Sequence, residues 1–364
     1  MKQIASLKDL AFVAEIFYTV SPDLHRMARL EGGKVVELDF EIPEKPKSLL
    51  GGIFLGRVIE IQKPLQAAFV DIGQAKPGLL PLREGKLSPL KQGDTVLVQV
   101  SRTENPLENK GVRLTRLITL ALGPLLYTPF APGLSLSKKL KQREAFKGLF
   151  PLRVEEGLIV RYWASSEDSL QEVFLRLRGE WEAIQKQLFG KPPLCLQPAP
   201  DLLTRILRGL TSSDTFVIDD RRLAALTEGM GLFSRERAFD ERCEEAWESL
   251  FSPEVPLPQG GSLYIEETHG LVVMDVNSGG ALRNVLSFNR GAIQEALRQV
   301  RLRDLGGKIV IDLIAAPKKV GSLLQGLDIP SNLEIWGVSL MGLLELTRRK
   351  QRLSLPQRLK LNLN

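Results

Sequence analysis

Two acidic residues occupy places where apolar ones are expected. Asp275 interrupts LVVMDVN and Asp312 interrupts KIVIDLI, each directly after three apolar residues. A carboxylate in a buried strand is expensive unless it is paired, hydrogen-bonded or bound to a metal. Between the two lie a polar Gly-rich loop, SGGALRN, a helix from about Ser287 to Asp304, and Gly306-Gly307. A helix of that length between two strands points to a βαβ crossover with neighbouring parallel strands. Both acids would then sit at corresponding positions near the C-terminal ends of their strands, where open α/β sheets place their ligand crevices. Two nearby carboxylates repel unless a cation lies between them, and Mg²⁺ is the hard cation suited to such a pair together with water and a phosphate oxygen. That chemistry is phosphodiester hydrolysis. Asn277 shares a face with Asp275 on a period-two strand and could orient it or touch the phosphate. A structural ion pair with Arg301 or Arg303 is the competing reading of these acids.

Other chemistries find little support. The chain has 364 residues, of which 43% are hydrophobic and 25% charged, an ordinary composition for a folded protein of two or three domains. Its cysteines are Cys195 and Cys243 and its histidines His25 and His269, so neither a disulfide framework nor a Cys/His zinc site can be assembled, and Ser/His or Cys/His nucleophilic catalysis is a poor fit. No apolar run approaches the roughly 20 residues of a membrane span. Asp9 and Glu15 interrupt the apolar start and no small-residue cleavage site follows, so a cytoplasmic protein is expected, without a membrane partner. The net charge of +6 is segregated: residues 341–364 carry six basic side chains against Glu345, segments 48–120 and 138–147 are each net +4, and 214–254 is net −6. Basic patches of this kind suit a polyanion such as nucleic acid.

The elements that must position these residues are readable from pattern. FVAEIFYTV and KVVELDFEI alternate around Glu31-Gly32-Gly33 and read as strands and a hairpin, with a helical turn at Leu24 to Leu30. Pro43 and Pro46 mark a linker. IFLGRVIEI, AAFVDI, GLLPL, TVLVQVSR and VRLTRLITLA are five short strand candidates within 50–120, the content of a small barrel of the oligonucleotide-binding sort. GLIVRYWA reads as a strand, and Ser165 to Leu188 as a helix capped by Ser165 or Ser166. Leu202 to Leu210 and Asp240 to Leu250 read as helices, FVIDD as a strand, and Pro253 to Gly261 as a second boundary.

GLVVMDVNSGG, RQVRLRDLGGKIVIDLI and MGLLELTRRKQRLS strongly resemble the catalytic region of the ribonuclease E/G family. IFLGRVIEIQKPLQAAFVDIG, PGLLPL and NKGVRLT look like that family's S1 domain, GLIVRYWA like the strand of its 5′ sensor, and GLFSRERAFDERCEEAW with LPQGGSLYIEET like the boundary of its catalytic domain. The resemblance implies a mixed α+β and α/β multidomain fold, with an S1 (OB-fold) barrel at 46–120 inserted in a ribonuclease H-like part at 1–45 and 196–258. A 5′-sensor-like domain at 121–195 and a DNase I-like catalytic domain at 259–364 complete it. The implied activity is a Mg²⁺-dependent endoribonuclease, Mn²⁺ being a possible substitute, that cuts single-stranded RNA and leaves 5′-phosphates. A non-catalytic RNA-binding protein on the same fold is the alternative. By the same resemblance Asp275 and Asp312 match the metal-binding acids, Asn277 a catalytic asparagine, and Phe69, Lys110 and Arg161 residues that contact RNA. Tyr162, Trp163 and Leu340 stand where the family has phosphate-reading side chains, and Leu79 replaces a second aromatic beside Phe69, so ordinary 5′-monophosphate sensing is not expected. The sequence ends at Asn364, before the family's zinc link and small dimerisation domain, and the expectation is a monomer or weak dimer without structural zinc.

Overall fold

A computed structural model describes residues 14–363 apart from 46, 84–87, 141–142, 165–168, 212, 228–231, 234–237, 281–282, 316–320, 328 and 331. The chain opens with β1 (Ala14–Val20), β2 (His25–Glu31) and β3 (Lys34–Glu41), hydrogen-bonded in that order. The β2–β3 turn is made by Gly32 and Gly33 at φ of +55° and +75°, which matches the twist of a two-residue hairpin. Leu24 to Leu30 is therefore not a helical turn. Pairing on both sides of β2, and burial of Met27, Ala28 and Leu30, outweigh the local helical spacing.

Next come β4 (Ile53–Gln62), β5 (Ala67–Asp71), β6 (Gly78–Pro81), β7 (Thr95–Arg102) and β8 (Arg113–Thr115). The first half of β4 pairs with β7 and the second half with β5, and this lets the five strands close into a barrel in the order β4-β5-β6-β8-β7. Phe54, Val58, Ala68, Val70, Leu80, Val98 and Leu114 fill it. A four-stranded sheet follows, from β9 (Leu120–Leu122), β10 (Leu125–Thr128), β11 (Gly133–Leu136) and β12 (Gly157–Val160). It is covered by α1 (Leu170–Gln185), whose Phe174, Leu177 and Trp181 recur at helical spacing and are buried. The α1 helix begins at Leu170, later than its periodicity suggests, and the caps expected at Ser165 or Ser166 lie outside the described residues. GLIVRYWA is extended only to Val160; Arg161 to Ala164 form a turn. Then β13 (Leu194–Gln197) pairs back onto β4, and α2 (Leu202–Gly209) is capped by Asp201.

Beyond it, β14 (Thr215–Ile218) and β15 (Leu232–Phe233), with the short α3 (Arg221–Leu226) between them, extend the first sheet to the order β15-β14-β1-β2-β3. After α4 (Glu241–Glu248), the strands β16 (Glu254–Pro256), β17 (Ser262–Glu267) and β18 (Val272–Asn277) lead to α5 (Val285–Leu302) and β19 (Gly307–Asp312). The short α6 (Gly321–Leu324), the hairpin β20 (Leu333–Val338) and β21 (Leu343–Arg348), and α7 (Leu355–Leu363) complete the described chain. The last sheet has the order β16-β17-β18-β19-β21-β20. Two compact units result: residues 41–215 hold the barrel and the four-stranded sheet, while 15–40, 216–226 and the chain from 231 on hold the first and last sheets.

Within the second unit α5 has two occupied sides. Phe288, Ala292, Ile293, Ala296, Leu297 and Val300 pack on the last sheet. Arg298 and Arg301 reach the β2–β3 hairpin instead: Arg298 donates to the Val35 carbonyl at 2.6 Å, and Arg301 forks onto Glu31 at 2.8 and 2.9 Å. Further along, Asp39, 3% exposed at its side chain, accepts from Arg352 and Arg358 at 2.9 Å each. Asp304 at the end of α5 accepts from Arg352 at 2.5 Å and from Arg348 at 2.9 Å. Burial alone would lower the Arg352 guanidinium, but Asp39 and Asp304 beside it hold it above its ordinary value. Removing one partner of a buried pair strands the others in low dielectric. Asp39→Ala should therefore lose about 3 to 5 kcal/mol of folding stability, read by denaturant titration.

Burial alone would likewise raise the Glu31 carboxyl, but the Arg301 fork, with Arg29 nearby, brings it below the usual carboxylate value. A carboxyl depressed in the folded state stabilises fully above its unfolded pKa, about 4.3, and this is lost as pH falls through the folded value. The stability difference between the native chain and Glu31→Gln should accordingly be largest at neutral pH and shrink towards about pH 3.

Candidate active site

Because β18, α5 and β19 form a crossover, β18 and β19 run parallel, and their register sets Asp275 opposite Asp312. The two strands are about 4.8 Å apart. Met274, Val276, Ile309 and Ile311 point to α5, while Asp275, Asn277 and Asp312 point away from it and are exposed. The acids therefore do not interrupt a buried face, as the sequence pattern suggests. Among the described residues their sheet is covered on one side only, and half-buried Val273 and Val310 on the other side make the strands read as continuous apolar runs.

The structural ion pair is absent as well. Arg301 is engaged by Glu31, while Arg303 donates to Gln299 at 2.7 Å and to the Ser249 carbonyl. Among the described residues nothing donates a hydrogen bond to either carboxylate, so both are available to a ligand.

Asn277 is fixed by its own loop, its Oδ1 accepting from the Gly279 N–H at 2.9 Å. This leaves the amide NH₂ as the donor end. Gly261 makes the strand end compact: at φ +74° a Cβ there would lie 2.2 Å from the Asn277 carbonyl oxygen, so only glycine permits that approach.

The donor set fits a hard divalent cation. Two carboxylates from adjacent strands, with no third His, Cys, Asp or Glu converging among the described residues, match Mg²⁺, which retains waters and takes one or two carboxylates plus phosphate oxygens.

Phe69, Lys110 and Arg161 belong to the other unit. Phe69 lies on β5 between buried Ala68 and Val70, is itself half-buried, and pairs in register with Leu79 of β6, so it faces outward from the barrel and is no part of its core. Lys110 lies on the exposed loop entering β8 and pairs with Glu108. Arg161 follows β12, donates through its backbone to the Pro124 carbonyl at 2.9 Å, and lays its guanidinium 5.1 Å from the Trp163 ring centre. Burial pulls that guanidinium below its ordinary value. Tyr162 stands edge-on to Trp163, with centroids 5.0 Å apart, and Lys139 lies over its ring. Leu340, at the tip of the β20–β21 hairpin, is fully exposed and presents no donor.

Residues 119–351 match the sequence profile of the ribonuclease E/G family. The chain belongs to that family. Ribonuclease E of Escherichia coli K12 is 32% identical to it across 89% of this chain, and ribonuclease E of Synechocystis is 31% identical across 83%. Ribonuclease G of Escherichia coli K12 is 28% identical across 94% of this chain. The chain spans 36% of the length of the first of these relatives, 52% of the second and 81% of the third. Among its described residues no helix is long and apolar enough to cross a membrane.

One functional candidate in this ribonuclease E/G chain escapes sequence reasoning. Asn289 sits on the apolar stripe of α5, fully buried, where periodicity predicts a hydrophobic residue. Its Nδ2 donates to the Ile314 carbonyl at 2.7 Å and its Oδ1 accepts from the Ile314 N–H at 3.2 Å, clamping the backbone two residues beyond Asp312. The available signal was a polar residue inside an amphipathic stripe. Asn289→Leu leaves two backbone groups unpaired and should lower stability by about 1 to 3 kcal/mol. The loss is read by denaturant titration of Asn289→Leu against the native chain.

Proposed function

We propose that this chain is an endoribonuclease that hydrolyses single-stranded RNA within the strand. The observation that carries the reading is the register pairing of Asp275 with Asp312 on one exposed sheet face, both carboxylates without a hydrogen-bond donor among the described residues and Asn277 on the same face. Membership of the ribonuclease E/G family agrees with it, as do relatives named ribonuclease E and ribonuclease G. Asp275 and Asp312 would hold a Mg²⁺ ion, which when bound polarises a phosphate oxygen and lowers the pKa of water. The Asn277 amide NH₂, held outward by the Gly279 contact, donates to a phosphate oxygen and keeps the reacting group over the acid pair. In the step itself a water oxygen bonds to phosphorus and the P–O3′ bond breaks; the upstream fragment takes a proton as its 3′-hydroxyl, and the downstream fragment keeps the 5′-phosphate.

RNA is held on the other unit by chemistry suited to single strands. Outward-facing Phe69 offers a ring to a base, worth about 1 to 3 kcal/mol in such binders. Lys110 and Arg161 supply positive charge for the phosphate chain. With Tyr162 and Trp163 filling the turn beside Arg161 and Leu340 lacking a donor, discrimination for a 5′-monophosphate is not part of this reading.

An end-labelled single-stranded RNA tests it. The native chain should cut in Mg²⁺ and stop in EDTA, at similar rates on 5′-monophosphate and 5′-hydroxyl ends. Asp275→Asn and Asp312→Asn should each lower kcat by at least about a hundredfold while still binding RNA. Binding without cutting by the native chain would refute the enzymatic reading.

A further inference from the structure

Tyr264 of β17 is the register partner of Asp275 on the side away from Asp312. Cross-strand partners bring their Cβ atoms to about 4.5 to 5.5 Å. Its strand alternates buried Leu263 and Ile265 with exposed Tyr264 and Glu266, so the ring stands on the open face beside the acid pair. It is 42% exposed, and among the described residues it has no hydrogen bond or ring partner. Along the same row the neighbours are, in order, Glu254, Tyr264, Asp275, Asp312 and Leu343. Tyr264 is thus the aromatic that borders the carboxylates, with an aliphatic side chain on their far side.

We propose that Tyr264 is a specificity-determining residue that stacks on the nucleobase next to the phosphate held over Asp275 and Asp312. The inference rests on the RNA-cleaving reading of that acid pair and adds to it the group that positions the adjacent nucleotide. The row favours a base there over backbone. Glu254 and Glu266 flank the ring and repel phosphates, whereas a π-face accepts any base by stacking, independently of charge. Strength then follows how well each base stacks, giving a graded preference at one position instead of a strict code.

The experiment compares the full native chain with Tyr264→Phe and Tyr264→Val, the second keeping a good strand former. Affinity for a fluorescein-labelled single-stranded RNA is measured in EDTA, and cleavage in Mg²⁺. Both are repeated on RNAs carrying one abasic nucleotide at each successive position. Tyr264→Val should weaken binding and raise KM about five- to a hundredfold. Its kcat should stay near the native value, and Tyr264→Phe should remain within about twofold of native in every readout. The abasic penalty at a single position should vanish in the Val background, because one stacking contact cannot be lost twice. Native-like binding and KM in Tyr264→Val, an equal defect in Tyr264→Phe, or abasic penalties that simply add at every position would each overturn the proposal. If the native chain cuts nothing but shows this non-additive binding, the stacking role stands and the enzymatic reading falls.

Discussion

The parallel pairing of β18 with β19 is the constraint on which the rest of the second unit depends. Parallel neighbours need a crossover of a dozen or more residues, and a helix in that place draws most of its stability from packing one face. The α5 helix meets the requirement with two different surfaces. Its apolar stripe lies on the sheet, and its arginines seat on the carboxylate and carbonyl groups of the β2–β3 hairpin. Covering one side of the sheet in this way leaves the other side open, and the open side carries the acids. The candidate site is thus a by-product of where the helix has to be.

The segment RLRDLGG shows how much of a distinctive sequence can be scaffold. Arg301 seats on Glu31, Arg303 is absorbed by Gln299 and Ser249, and Asp304, in the left-handed region at φ +51°, accepts from Arg348 and Arg352. Its two glycines serve different ends: a Cβ on Gly306 would lie 3.0 Å from the Lys350 Cα, whereas Gly307 takes a φ of +98° that other residues rarely adopt. These residues turn the chain sharply from α5 into β19 and fix the register of that strand, and with it the place of Asp312. None of them touches the carboxylate pair.

The sequence made the barrel strands and the crossover legible, because period-two and period-3.6 patterns there agree with tertiary burial, and with the crossover the sharing of one sheet face by Asp275, Asn277 and Asp312. It misled where tertiary pairing overrides local spacing, as in β2, and where a half-buried valine on an open face imitates a core residue. It was silent on Asn289 and Tyr264. A buried amide clamp looks like a break in an apolar stripe, and an exposed tyrosine on a strand looks like ordinary alternation. Both acquire meaning only from the partner that folding places opposite them.

The arginines on Asp39 lie 313 and 319 residues further along the chain. During synthesis β1, β2 and β3 can pair their backbones early, yet the carboxylate of Asp39 meets Arg352 and Arg358 only once residues 352–358 have emerged. The β1–β3 strands and residues 352–358 therefore reach their native state together, as one long-range cooperative event. A ribosome-bound chain would carry a solvated Asp39 until those two arginines arrive.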